Sequence, residues 1–257
     1  MDFNTRNFHP RDLLLTFDAE SHTYYHNGTP FKSVTTLVEE CFPRFDAVYW
    51  ANRKAAQEGV TPQELLDRWE KNACHARNLG TAMHEKIEHY YLGEDAGDDA
   101  DAFSLFRLFA ADHTLHPYRT EWRIFIEEYG IAGTLDFLEL TPDGTFNIYD
   151  WKRSQKLISP SGEVEIQSRF HKTALYPISH LDDTSYYHYA LQLSIYRYIL
   201  ETKYDIRVSA MRLGVFHPSY STYYIVDVPY LRDEVITVLG NKALKKPKNT
   251  DAAVTFH

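Results

Sequence analysis

Asp136, Asp150 and Lys152 fall within one stretch, GTLDFLELTPDGTFNIYDWKRS, residues 133–154. Two carboxylates and an ammonium held together can act in three ways. They can bind a divalent cation, whose charge offsets their repulsion and whose natural ligands are oxygens. They can share one proton, as paired acid–base carboxylates do. They can also form a salt-bridged trio on a solvated face, with Lys152 neutralising one aspartate. The turn between them decides which residues meet. Pro142, Asp143 and Gly144 fit a three-residue hairpin loop with Gly144 left-handed, so Thr141 and Thr145 flank it. Equal steps back place Asp136 opposite Asp150, with Cβ atoms roughly 4.5–5.5 Å apart, where like charges destabilise a sheet. Alternation puts Lys152 on the face of Asp150 and turns Trp151 away.

Other chemistry-bearing residues are more ambiguous singly. GTAMHEKIEH, residues 80–89, invites comparison with the zinc protease signature His-Glu-x-x-His. His84 and His89 are five apart, so on a helix they point in different directions, and that reading is excluded. What remains is Gly80-Thr81-x-x-His84 with Glu88 one turn on; a lone histidine of this kind is more often structural than a ligand. His188, Gln192 and Tyr196 recur at steps of four, a polar stripe on an otherwise apolar helix. Gln192 there is either a buried amide satisfied locally or a donor aimed at a site. Glu121, in TEWRIF, is either an ordinary exposed strand glutamate or part of a site.

The elements that must position these residues can be read in outline. Residues 13–33 read as a hairpin turning at His-Asn-Gly-Thr, followed by a short helix over 33–42 capped by Ser33. A second helix ends at Gly59. Thr61, Pro62 and Glu64 form a capping box that starts a long helix toward Asn78, and Gly80 predicts a break or bend before the His84 segment. An acidic loop, 94–102, leads into a helix from Asp101 to His113. Three strand-like runs follow, then a long polar segment over 153–184 that is either a functional loop or partly disordered. A strong helix over 185–204, two more strands and a final helix complete the chain. The alternation predicts an α/β domain with a mixed central sheet flanked by helices. One domain over 1–257 is expected, with an N-terminal hairpin and helices (1–79), a core (80–228) and a C-terminal helix and tail (229–257).

Bulk properties narrow the function classes. The formal charge is −9, which argues against nucleic-acid binding by bulk electrostatics but not against a site built from carboxylates. The compact basic run KALKKPK, 242–248, reads as a solvated helix end. Two cysteines, Cys41 and Cys74, cannot build a four-cysteine zinc or iron–sulfur site in one chain. No apolar run approaches a membrane span, and MDFNTRNFHPRD lacks the apolar core of a signal peptide. A reduced, cytoplasmic protein is expected.

In chain order, GTAMH (80–84), Glu121, GIAGTLDF (130–137), YDWK (149–152) and QLSIY (192–196) resemble the RecB-like branch of the PD-(D/E)XK nuclease superfamily. The likeness spans residues 80–200, and SVTTLVEECFPRFD resembles the N-terminal segment of its phage and bacterial members. The resemblance implies a restriction-endonuclease-like sheet with helical N-terminal additions, and metal-dependent hydrolysis of DNA phosphodiesters. It implies that His84, Asp136, Asp150 and the Trp151 carbonyl bind Mg²⁺ or Mn²⁺. Lys152 would orient the attacking water and stabilise developing charge. Gln192 and Tyr196 would shape the site and contact the scissile strand, with Glu121 in support. Some relatives carry an iron–sulfur cluster, which this chain cannot build. Large members are fused to helicases, and this chain has no Gly-x-x-x-x-Gly-Lys-[Ser/Thr] phosphate loop and no nucleotide cofactor is expected.

An exonuclease in DNA processing, repair or recombination is therefore expected, in a bacterial or phage-infected cell, with DNA and a separate helicase or recombination protein as partners and no membrane. The competing readings are an inactive nuclease-fold module that binds DNA or protein, and a carboxylate-pair hydrolase of another ester or glycoside. The 153–184 segment carries Arg153, Lys156, Arg169, His171 and Lys172, and is expected to cover the site and contact phosphates.

Overall fold

The computed structural model describes residues 2–97 and 102–244. A one-turn helix, α1 (Phe3–Arg6), leads into a meander of β1 (Leu15–Asp18), β2 (Thr23–His26) and β3 (Thr29–Ser33). The sequence predicts one hairpin here, and there are two. Asp18 closes the first turn by accepting from the Glu20 N–H and the Ser21 hydroxyl, local side-chain chemistry that strand periodicity does not reveal. Asn27 and Gly28 make the second, at φ 50° and 75°, as a two-residue hairpin loop requires.

Ser33 caps α2 (Val34–Glu39), and Asp46 caps α3 (Ala47–Glu58), which ends at a left-handed Gly59. The Thr61–Glu64 capping box starts α4 (Pro62–Leu92). Gly80 does not divide α4, which runs 31 residues unbroken. A mid-helix glycine costs about 1 kcal/mol against alanine, and burial of Met83 and Ile87 beyond it outweighs that cost. Apart from its chain neighbours and the backbone of its own helix, nothing lies within 4 Å of where a Gly80 Cβ would stand. Gly80→Ala should therefore raise stability by about 0.5–1 kcal/mol in urea unfolding; a loss would contradict the open position.

The remaining elements are α5 (Ala102–Asp112), β4 (Pro117–Ile126), β5 (Ile131–Leu140), β6 (Phe146–Lys152), α6 (Ser185–Lys203), β7 (Val208–Val215), β8 (Tyr224–Asp227) and α7 (Arg232–Leu244). Residues 98–101 of the acidic loop lie outside the described residues, as does the basic run 242–248 beyond the backbone of α7. The strands form one eight-stranded mixed sheet in the order β1-β2-β3-β5-β6-β7-β8, with β4 also paired to β5. The β3–β5 and β6–β7 pairs are parallel and the others antiparallel. The fold is α/β, a mixed sheet flanked by helices. Among the described residues no helix is long and apolar enough to cross a membrane.

One feature of the pairing makes a site. A strand has two edges, and β4 takes one edge of β5 along its length. β3 and β6 share the other, β3 at Ile131–Ala132 and β6 at Phe137–Leu140. The β5–β6 ladder stops at Phe137↔Tyr149, and the two strands part beyond it. Asp136, Asp150 and Lys152 stand at that fork. The main core fills one face with α2, α6 and α7. A second, aromatic core of Phe103, Phe106, Phe109, Phe137, Trp151 and Phe216 fills the other under α4 and α5.

The 153–184 segment is no loose loop. Leu157, Ile158, Ala174, Ile178 and Leu181 are buried in the main core, and isolated bridges join Ile158 to Val164 and Thr173 to Asp182.

Candidate functional site

The hairpin follows the register expected from its turn. Gly144 is left-handed at φ 80°, the Thr141 N–H donates to the Thr145 carbonyl at 2.9 Å, and Glu139 faces Asn147. The same count brings Asp136 level with Asp150 one step beyond the last ladder pair. There the Trp151 N–H donates to Asp136 Oδ2 at 2.8 Å, a side chain replacing a backbone acceptor where the strands separate.

Strand alternation slips at this point. Leu135 and Leu138 both enter the main core, while Phe137 enters the aromatic core, so the strand shifts its facing around Asp136. On β4 the facing residue is Glu121, bracketed by the pairs Thr120↔Phe137 and Trp122↔Leu135. Glu121 has φ 46°, an uncommon conformation for a residue with a Cβ. Such strain concentrates at sites where side-chain direction matters.

The result is a compact donor group. Ligating atoms of His84, Glu121 and Asp136 all lie within 4.8 Å of one another. His84 Nδ1 is 3.6 Å from Asp136 Oδ2 and 3.8 Å from Glu121 Oε1. Its Nε2 donates to the Trp151 carbonyl at 2.9 Å, which fixes the ring and leaves Nδ1 toward the carboxylates. Trp151 O, expected as a ligand, accepts from His84 Nε2, and Glu121, expected in support, joins the group. Asp150 is outside it. Asp150 is 1% exposed and its Oδ2 lies 2.6 Å from Lys152 Nζ. An open cleft of about 450 Å³ lies before His84 and Glu121, with Thr81, Arg119 and Arg123 among its walls.

Gln192 and Tyr196 brace the fork from α6. Gln192 Nε2 donates to the Tyr196 hydroxyl at 3.1 Å. A Cβ on Gly133 would stand 2.6 Å from the Tyr196 ring and 3.1 Å from Val34 Cγ2, so glycine there lets the helix approach the strand. Gly133→Ala should cost about 1–3 kcal/mol, read as a lower urea midpoint. His188, the third residue of the stripe, instead binds Asp183 at 2.8 Å and stacks on Phe42. Sequence reasoning missed two residues. Lys152 Nζ sits 4.5 Å from the centre of the Tyr189 ring, a cation–π contact. Gly214, beside Trp151 in β7, leaves room for the indole, since a Cβ would meet it at 2.6 Å. Of the expected phosphate-contacting residues in the 153–184 segment, Arg169 is ion-paired with Glu165 and Lys172 is exposed.

The electrostatics follow from burial. Burial raises the Asp136 pKa, His84 and Lys152 oppose the rise, and Glu121 adds to it. Burial likewise pushes Asp150 up to about 6 against the pull of Lys152. Lys152 would be lowered by burial, but Asp150 and Asp136 outweigh this and hold it charged. Burial would lower His84 too, yet Asp136 and Glu121 raise it to about 9.

A raised pKa on a carboxyl stabilises the fold below its unfolded value and loses that contribution as pH rises through the folded one; a raised histidine does the same. Protein in EDTA should therefore lose stability from about pH 4 to 6 through Asp150 and from about pH 6.5 to 9 through His84. Thermal unfolding in EDTA should show both limbs, and His84→Gln should flatten the upper one. An unchanged upper limb would contradict the assignment.

The donor set suits a hard divalent cation. Burial drives Asp136 and Asp150 toward protonation although His84 and Lys152 oppose it, and a cation held by Asp136, Glu121 and His84 would favour the ionised carboxylates.

No family model matches the sequence, and no curated protein does. Seventeen chains of solved structures match it. One, a crystal structure of SSO0001, is 13% identical, covering 84% of this chain and 76% of its own, at a TM-score of 0.32. That likeness carries no functional argument.

Proposed function

We propose that this chain is a metal-dependent deoxyribonuclease of the restriction-endonuclease-like, RecB-like type. It hydrolyses DNA phosphodiesters as an exonuclease in DNA processing, repair or recombination, in the cytoplasm and beside a separate helicase or recombination protein. One observation carries the reading. A buried Asp150 paired with Lys152 at 2.6 Å stands at a strand fork beside three side chains that could hold a cation, in the order of motifs that resembles that family.

Asp136, Glu121 and the Nδ1 of His84 would hold Mg²⁺ or Mn²⁺, while Asp150, expected as a further ligand, holds Lys152 instead. A divalent cation bound there offsets charge on the phosphoryl oxygens and lowers the pKa of water toward neutrality. The chain's own residues do the rest. Lys152, kept charged by Asp150 and Asp136, supplies a fixed ammonium where negative charge develops and orients the attacking water. Arg123, on the cleft wall, receives a phosphate. Gln192 pins Tyr196 against Gly133, so β5 keeps Asp136 aimed at the fork. His84 must give up its Nδ1 proton to act as a ligand, which ties metal affinity to pH.

End-labelled linear and closed circular DNA, single- and double-stranded, should be tested with Mg²⁺, Mn²⁺ or EDTA. Cleavage is expected only with metal and on linear DNA. Folded protein that binds DNA without cutting under any condition would instead support an inactive binding module, and activity persisting in EDTA would support a hydrolase of another class.

A further inference from the structure

The α2–α3 connection and the 172–182 hairpin carry a surface that the catalytic chemistry does not use. Tyr176 is 90% exposed, Phe45 63% and Tyr49 48%. Phe45 meets the Trp69 ring at 5.9 Å and Tyr49 meets Trp50 at 5.3 Å, so exposed aromatics cluster here, and clustered exposed apolar surface marks an interaction site. The two segments are joined, since the Leu175 N–H donates to the Cys41 carbonyl at 2.7 Å. Cationic side chains are interleaved with the aromatics: Arg44, Arg53 and Lys54 on one segment and Lys172 on the other, all exposed. Between residues 41 and 54 the one carboxylate is Asp46, whose oxygen caps α3. In a chain of net charge −9, this is a local reversal of sign.

The surface also connects to the site through a chain of contacts. Lys152 lies over Tyr189. Its neighbour His188 stacks on Phe42, with ring centres 3.7 Å apart. His188 also binds Asp183, whose N–H donates to the Lys172 carbonyl at 2.8 Å. Phe42 is followed directly by Pro43, Arg44 and Phe45. The patch is therefore linked to Lys152 through Phe42, His188 and Tyr189.

We propose that this surface binds single-stranded DNA. Bases stack on Phe45, Tyr49 and Tyr176 while Arg44, Lys54 and Lys172 take the phosphates, so that a strand end is led to Lys152. Aromatics alternating with cations suit a single strand, because every base has a stacking face and the backbone needs charge; a duplex hides its bases. The proposal rests on the nuclease reading for its direction, but its binding test does not depend on cleavage.

The test uses the full chain and fluorescent oligo(dT), with blunt duplex as the comparison, in EDTA. Phe45→Ala/Tyr176→Ala should weaken oligo(dT) binding by at least about tenfold. Arg44→Gln/Lys172→Gln should lower the salt slope of log affinity by about 1.4. Both variants should hydrolyse thymidine 5′-(p-nitrophenyl) phosphate with Mn²⁺ as wild type does and keep wild-type circular dichroism. If folded wild type cuts neither linear DNA nor the small ester with Mn²⁺ but the binding losses appear, the nuclease reading fails and the surface stands. Oligo(dT) affinity unchanged in both variants overturns the proposal. So does equal wild-type affinity for blunt duplex, or a wild-type dimer that the aromatic variant dissociates while oligo(dT) binding stays unchanged.

Discussion

A Lys152→Met protein should cut DNA about 10²–10³-fold more slowly than wild type, the usual cost of removing one fixed donor from a developing negative charge. It should also lose stability. Asp150 is 1% exposed and Lys152 is its ion-pair partner at 2.6 Å. Removing one member of a buried pair leaves an uncompensated charge, at a cost of about 3–5 kcal/mol. Methionine keeps a flexible apolar stem beside Tyr189, so the loss reports the charge rather than a void. The double variant Asp150→Asn/Lys152→Met separates the two effects. Replacing both charges with neutral groups of similar shape should recover most of the stability and none of the cleavage. Urea unfolding in EDTA and single-turnover cleavage in Mn²⁺ read the two quantities. If the double variant regained activity along with stability, Lys152 would be a structural residue only.

Asp136→Asn should abolish metal binding without unfolding the hairpin. Asparagine retains an oxygen that can accept the Trp151 N–H, now taken by Asp136 Oδ2 at 2.8 Å, so the local backbone geometry survives. What disappears is the negative charge that faces His84 Nδ1 at 3.6 Å. Loss of an outer partner of a ligand already lowers metal affinity about 10–100-fold, and a direct ligand should exceed that. Mn²⁺ affinity, followed by calorimetry, should fall at least about 100-fold, and cleavage with it. His84 should meanwhile become less basic, because Asp136 is the first of the carboxylates holding it up. Wild-type Mn²⁺ affinity in this variant would remove Asp136 from the centre.

Much of this arrangement was legible in the sequence where the determinants are local. Pro142, Asp143 and Gly144 set a turn, the turn sets the register, and the register brings Asp136 level with Asp150. The Thr61–Glu64 capping box and the glycine after α3 marked real helix ends. What local pattern could not show was tertiary. Gly80 reads as a break because nothing in its neighbours announces the burial of Met83 and Ile87. By itself Glu121 reads as either a surface glutamate or part of a site, because its role depends on a slip of alternation in a different strand. The 153–184 segment buries Leu157, Ile158, Ala174, Ile178 and Leu181, yet the last three stand at helical spacing with Pro177 between them and form no helix, so periodicity misleads there. Tyr189 and Gly214 matter only because Lys152 and Trp151 point at them. Trp151 itself illustrates the limit: its side chain turns away as alternation requires, while its carbonyl meets His84, a contact 67 residues distant in sequence.

The most direct measurement is single-turnover cleavage of end-labelled linear DNA by wild type, Asp136→Asn and Asp150→Asn/Lys152→Met, each shown to be folded, in Mn²⁺ and in EDTA. Cutting by wild type in Mn²⁺ alone, with both variants silent, is the predicted result. Wild-type rates in either variant, or no cutting by folded wild type at saturating Mn²⁺, would contradict the assignment of the strand fork as a nuclease centre.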